Sequence, residues 1–156
     1  MMKHNLSMVD LIGSGAFGNV ALALDTNGKK VVLKQIALGK AVNKASYHRE
    51  VYIMENIPSH PNIPKLLHAE VMDPYGYLMQ EYVGGLTINI LSYLFGKTNI
   101  PFLMKISKTL IQTLNHLHEN NIYHLDLNEG NMIICEDPFD PELPLTMKLI
   151  DFGISC

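Results

Sequence analysis

Gly13-Ser14-Gly15-Ala16-Phe17-Gly18-Asn19-Val20-Ala21-Leu22-Ala23-Leu24 is the stretch on which the fold turns. Glycines at this spacing let the backbone fold closely over phosphate groups and leave N–H groups facing an anion. In dinucleotide-binding α/β proteins the same G-x-G-x-x-G spacing opens a helix. Here the residues after Gly18 alternate as a strand, so the glycines belong to a strand-turn-strand and the dinucleotide reading is disfavoured. Taken alone, the motif is equally well a plain glycine-rich hairpin.

Working outward, Asn19–Leu24 and Lys30–Lys34 flank Asp25-Thr26-Asn27-Gly28, whose Asn-Gly pair predicts a hairpin turn. A helix is expected over Lys44–Asn56, ended by Pro58 and Pro61. Two further strands are predicted near Lys65–Val71 and Gly76–Tyr82, joined by a turn at Asp73–Gly76. Gly84-Gly85 then breaks the pattern and marks an expected lobe boundary. Beyond it, Leu103, Ile106, Leu110, Leu114 and Leu117 recur at steps of three and four and predict one face of a helix from Pro101 to Asn120. Short strands are expected at Met132–Cys135 and Thr146–Ile150. Between them the loop Glu136–Leu145 carries three prolines and four acidic residues.

The 156 residues set a prior of one domain, and 47% apolar content is at the globular norm. A net charge of −3 and the lack of a polybasic run give no sign of a nucleic-acid or membrane partner. Cys135 and Cys156 match no metal-ligand spacing, which makes a reducing compartment and a cytoplasmic location the expectation. Lys3, His4 and Asn5 interrupt the first residues, so no secretory signal peptide is visible.

Four further motifs carry chemistry. Lys34, in Val31-Val32-Leu33-Lys34, sits on a strand expected to pair with the glycine-loop strand, where a lysine can hold two phosphates. By itself a strand lysine is more often a solvated surface residue. Glu50 lies sixteen residues on, within the expected helix, and could fix Lys34 and keep it charged. His124-Leu125-Asp126-Leu127-Asn128-Glu129-Gly130-Asn131 offers an aspartate able to orient and deprotonate a hydroxyl, and an asparagine able to face a metal. Asp151-Phe152-Gly153 follows an apolar strand, and Asp151 is a hard oxygen ligand suited to Mg²⁺.

Five such signals in this order resemble the eukaryotic-type protein kinase superfamily over about Val9 to Gly153. His60-Pro61-Asn62-Ile63 resembles the segment after the small-lobe helix. Gln80-Glu81-Tyr82-Val83-Gly84-Gly85 resembles the hinge, with Gln80 at the gatekeeper position. The resemblance implies an α+β, protein kinase-like bilobal fold. Its antiparallel β-sheet N-lobe, with one αC helix and the hinge, would occupy about residues 1–83. A partial, mainly helical C-lobe would fill about 84–156 and end just after the Asp-Phe-Gly motif. It also implies an ATP-dependent phosphotransferase acting with Mg²⁺ on a hydroxyl, expected to be Ser or Thr of a protein substrate. Gly13, Gly15 and Gly18 would cover the ATP phosphates, Ile12, Ser14 and Ala16 would also line the cofactor site, and Val20 and Val32 would sandwich the adenine. The backbone at Glu81 and Val83 would meet its edge. Lys34 would bind phosphates and pair with Glu50. Asp126 would be the catalytic aspartate, and Asn131 and Asp151 the metal ligands. Met54, Leu66, His124 and Phe152 match positions that usually stack into a column linking the lobes.

Three features depart from the family pattern. Leu125 stands where an arginine usually precedes the catalytic aspartate, which implies no switching by loop phosphorylation. Asn128 stands where a lysine is usual, removing a positive charge near the γ-phosphate. This loop also resembles that of small-molecule kinases and short bacterial effector kinases, and it matches neither hydroxyl-class signature. Finally, the residues stop five past Asp151, before an activation segment or later large-lobe helices. The expectations are a fragment, a partner protein covering the Leu103–Leu117 helix, or a short form that repacks; for a secreted effector the location would be a host cytosol. A nucleotide-binding interaction module with little turnover and a small-molecule kinase are the alternative functions.

Overall fold

The computed structural model describes residues 6–15, 18–95, 100–135 and 146–156. The expectations for Met1–Asn5, Ala16, Phe17 and the Glu136–Leu145 loop lie outside the described residues. The chain divides into two compact units. One holds the chain through Asn56 together with Lys65–Tyr82, and the other holds Ile57–Pro64 and Val83–Cys156.

The first unit is an antiparallel sheet of β1 (Ser7–Gly15), β2 (Gly18–Leu24), β3 (Lys30–Ala37), β4 (Leu66–Met72) and β5 (Tyr75–Glu81), in the order β1-β2-β3-β5-β4. The Asp25–Gly28 turn forms where Asn-Gly predicts it. Asp25 Oδ1 accepts from the N–H groups of Asn27 and Lys29, both at 2.8 Å, and Gly28 takes the left-handed φ of 76°. On one sheet face Ala23, Val31 and Met79 form a core with Leu6 and Leu33. On the other, Ile36, Leu78 and Tyr47 pack together with Leu66 against them.

Tyr47 comes from α1 (Ala41–Asn56), the helix laid on that second face. Its buried residues are Asn43, Ser46, Tyr47, Glu50, Ile53 and Met54, spaced as one helical stripe. Half of them are polar, so the helix buries little of the apolar contrast that sequence periodicity measures. Its polar members need partners instead: Asn43 Nδ2 donates to the Ala37 carbonyl at 3.0 Å. The helix begins three residues before the expected Lys44, at Ala41, and ends at Asn56 ahead of Pro58, as predicted.

The second unit contains β6 (Leu86–Thr87), α2 (Ile88–Phe95), α3 (Ile100–Glu119), β7 (Met132–Ile134) and β8 (Met147–Leu149), the strands ordered β6-β7-β8. Neither β6 nor α2 is among the elements expected from the sequence. Gly85 leads into β6 at φ 139°, and a Cβ there would stand 2.0 Å from the Ile134 carbonyl oxygen. Only glycine allows β7 that close. On α3 the buried stripe is Phe102, Ile106, Thr113 and Leu117. This corrects the expected face at its N-terminal end: Leu103 is exposed, as are Ile100, Met104 and Ile111. Thr113 substitutes for an apolar residue because its hydroxyl donates back to the Thr109 carbonyl at 2.8 Å. The helix ends at Glu119; two residues on, Asn121 at φ 58° turns the chain away, and Ile122 N–H caps the Leu117 carbonyl at 2.9 Å.

The Ile57–Pro64 segment is tied into this unit from two sides. Leu149 N–H donates to the Asn62 carbonyl at 2.8 Å. The His116 Nε2–H donates to the Pro58 carbonyl at 3.0 Å, and the His60 and His116 rings stack at 4.5 Å. His60 Nδ1 accepts from Asn62 N–H at 3.2 Å, so the folded loop uses its unprotonated nitrogen. Burial, and then the neighbouring His116, hold His60 below the ordinary histidine value of 6.5. The unfolded chain therefore takes up this proton first, and the stabilisation is whole above pH 6.5 and lost as pH falls below it. The urea midpoint should accordingly be lower at about pH 5.5 than at about pH 7.5, and His60→Asn should remove part of that drop.

Candidate active site

In the first unit the glycine turn is set by the register of β1 and β2, with Gly13 opposite Val20 and Gly15 opposite Gly18. Gly18 has φ 145°, and a Cβ there would lie 1.9 Å from the Gln35 carbonyl oxygen on β3. Its glycine is demanded by close strand packing. A Cβ on Gly13 would meet Val20 at an ordinary 3.7 Å, so nothing among the described residues requires glycine there. Ile12 and Ser14 are exposed on β1 beside the turn.

Strand pairing puts Val20 opposite Lys34, and Val32 opposite Gln80. Cross-strand partners and alternate residues share a face, so Val20, Val32, Lys34 and Gln80 stand on the face that carries α1. Lys34 Nζ meets Glu50 Oε2 at 2.7 Å, with the lysine side chain 12% and the glutamate 1% exposed. A carboxylate that deeply buried is tolerated only when paired and hydrogen-bonded. Gln80 extends the network: its amide donates to Glu50 Oε1 at 3.4 Å and to Met54 Sδ at 3.0 Å. The sequence analysis gave Gln80 a gatekeeper position but no such contact, because residues thirty apart along the chain meet only through the register of β5 on β3. Glu81 N–H donates to the Lys65 carbonyl at 2.9 Å.

In the second unit the candidate catalytic loop is organised around a buried histidine. His124 is 2% exposed. Its Nε2–H donates to the Ile150 carbonyl at 3.0 Å, and its Nδ1 accepts from Asp126 N–H at 3.3 Å. Both partners are backbone groups of fixed polarity, so the neutral Nε2–H tautomer is the one that fits. Burial lowers its basicity; the Ile150 bond and the charges of Asp126 and Asp151 oppose that. The Phe152 ring, 1% exposed, meets the imidazole edge-on at 5.0 Å. Ser155 Oγ donates to the His124 carbonyl at 2.9 Å. Tyr123 and Cys156 exchange two backbone bonds, at 2.7 and 3.0 Å.

This frame holds two residues in left-handed backbone, Leu125 at φ 61° and Asp151 at φ 67°. Such conformations cost on the order of 1–3 kcal/mol each and persist where the surroundings over-determine them. Between them, Asn131 Nδ2 donates to Asp126 Oδ2 and to the Asp126 carbonyl, both at 2.9 Å. Asn128 Nδ2 reaches Asp126 Oδ1 at 3.1 Å. Ile150 N–H donates to the Asn131 carbonyl at 2.9 Å, which sets the Asp151 backbone beside the Asn131 backbone. Gly153 N–H donates to Asp151 Oδ1 at 3.3 Å. Leu125 is 62% exposed and carries no charge at the place where the family has an arginine.

Among the described residues no group of three or more His, Cys, Asp or Glu could hold a metal ion. Mg²⁺ needs no such cluster, because it is commonly held by one or two protein oxygens together with substrate phosphates and water. Asn131 spends its amide nitrogen on Asp126 and so presents its carbonyl end, and Asp151 supplies a carboxylate.

A family model described as protein kinase domain matches residues 6–156. Serine/threonine-protein kinase D of Synechocystis is 31% identical over 157 residues, covering 94% of this chain and 29% of that protein. Mitogen-activated protein kinase kinase kinase 3 of Arabidopsis thaliana is 29% identical, covering 94% of this chain and 23% of its own length. Among solved structures, Rad53 1-466 in complex with AMP-PNP superposes with a TM-score of 0.80 at 25% identity, covering 96% of this chain and 38% of that one. The chain spans less than a third of the length of each of these two curated relatives.

Removing one partner of a buried ion pair strands the other's charge. Lys34→Met should therefore lower the unfolding free energy by about 3 kcal/mol, and Lys34→Met/Glu50→Leu should regain part of the loss, as read from urea unfolding.

Proposed function

The chain belongs to the protein kinase domain family, and from that premise we propose that it is an ATP-dependent protein kinase that transfers the γ-phosphate of ATP to a serine or threonine hydroxyl of a protein. The observation that carries the proposal is the Lys34–Glu50 pair at 2.7 Å. A buried carboxylate holding a strand lysine aligned has a ready purpose if that ammonium must meet phosphate oxygens. The serine/threonine kinases among the relatives support the substrate class. A cytoplasmic location accords with two cysteines that form no disulfide, and no helix among the described residues is long and apolar enough to cross a membrane.

In this reading the backbone of Gly13, Gly15 and Gly18 covers the phosphates, and Ile12 and Ser14 line the cofactor site beside it. Val20 and Val32 contact the base, and the backbone at Glu81 and Val83 meets its edge. Lys34 holds the charge of the α- and β-phosphates, and Glu50 keeps Lys34 in place. Asn131 and Asp151 would hold Mg²⁺, which when bound neutralises phosphate charge. Asp126 orients the substrate hydroxyl and accepts its proton, while that oxygen forms the new P–O bond and ADP leaves.

The test is phosphate transfer from ATP with Mg²⁺ to casein by the wild type, Lys34→Ala and Asp126→Ala. Each variant should lose at least about 100-fold in kcat. Equal turnover by all three, or nucleotide binding by the wild type without transfer, would overturn the proposal.

A further inference from the structure

We propose that Asn128 is a positioning residue for Asp126, an uncharged donor that together with Asn131 fixes the plane of the reactive carboxylate; this rests on the kinase reading above. The two ends of the Asn128 amide have different tasks. Oδ1 accepts from Gly130 N–H at 2.9 Å and caps the 3₁₀ turn Glu129–Asn131. A backbone N–H can only donate, so the oxygen end is fixed there and the nitrogen end must face Asp126. That nitrogen donates to Asp126 Oδ1 at 3.1 Å and to the Asp126 carbonyl at 3.2 Å. From the other side Asn131 donates to Asp126 Oδ2 and to the same carbonyl, both at 2.9 Å.

Each carboxylate oxygen thus has its own amide donor. One such bond would leave the carboxylate free to rotate about it, and two on opposite oxygens remove that rotation. A base that must come within about 3 Å of a hydroxyl gains directly from a fixed plane. The substitution that reads in sequence as a lost lysine charge therefore supplies a neutral donor, held rigid by the cap at its other end. It adds no positive charge beside Asp126, so turnover should respond less to ionic strength than it would with a lysine here.

The cap and the clamp separate by mutation. Asn128→Asp keeps an oxygen for Gly130 N–H, removes the donor, and sets a second carboxylate against Asp126. Asn128→Lys loses the cap and restores a donor. A positioning role predicts that Asn128→Asp lowers kcat about 30-fold or more, with the KM for ATP within about threefold and the urea midpoint kept. It also predicts that Asn128→Lys recovers at least about tenfold of that loss and makes turnover more sensitive to salt. A cap-only role gives the reverse order, and that result overturns the proposal. A second readout needs no turnover: the side-chain amide resonance of Asn128 in the nucleotide-free chain should shift in Asp126→Ala. An unmoved resonance overturns the clamp. A wild type that shows this shift but transfers no phosphate overturns the kinase reading alone.

Discussion

Glu50 lies with 1% of its side chain exposed on a helix face laid against a sheet, and a carboxylate in that position must be neutralised where it stands. The cost of an unpaired buried charge is far larger than the gain from any single apolar contact nearby. Lys34 supplies the countercharge from β3, and Gln80 supplies a further donor from β5. With Asn43 bonded to the Ala37 carbonyl, these contacts specify how α1 sits on its sheet in a way that Tyr47, Ile53 and Met54 alone would not. Apolar surfaces tolerate sliding, whereas a charge pair at 2.7 Å does not. The same constraint that docks the helix holds an ammonium in a defined place, which is where stability and the proposed chemistry meet.

The second unit solves a different problem, that of keeping strained backbone in place. Leu125 and Asp151 both adopt left-handed φ, a conformation uncommon outside glycine and especially so for leucine. His124 ties the strand-end carbonyl of Ile150 to the Asp126 amide through its two ring nitrogens. Phe152, Ser155 and the Tyr123–Cys156 pair close the frame around it. A neutral, buried imidazole with both nitrogens committed is a rigid spacer. Its two ends fall next to Asp126 and Asp151, the two carboxylates assigned to the reaction.

Leu125 and Asn128 show how a family pattern can be altered without loss of order. An exposed leucine stands where the family pattern has an arginine, and its left-handed backbone is framed by the His124 bonds on one side and the Asp126 bonds on the other. Asn128 exchanges charge for a short, directional amide, and the geometry around Asp126 remains satisfied by neutral donors. Regulation through a loop phosphate has no arginine to act on at this position, whereas the order of the His124–Asn131 loop does not depend on one.

Much of the architecture was legible in the residue order. Asn27-Gly28 fixed a hairpin because its turn needs positive φ. The alternation after Gly18 marked a strand, and the prolines at 58 and 61 ended α1, because these are properties of a few neighbouring residues. The pairing of Lys34 with Glu50 could be anticipated from the resemblance, though not from spacing alone. Tertiary packing decided the rest. The buried stripe of α3 takes Phe102 and Thr113 and leaves Leu103 in solvent, since a hydroxyl that bonds to its own helix is as buriable as a leucine. The polar face of α1, the Gln80 contact and the double amide clamp on Asp126 depend on groups brought together by strand register and loop path. Local residue order sets where the chain turns and what it can pair as; which polar groups satisfy one another is settled only when distant segments meet, because hydrogen bonds need distance and direction that no linear spacing contains.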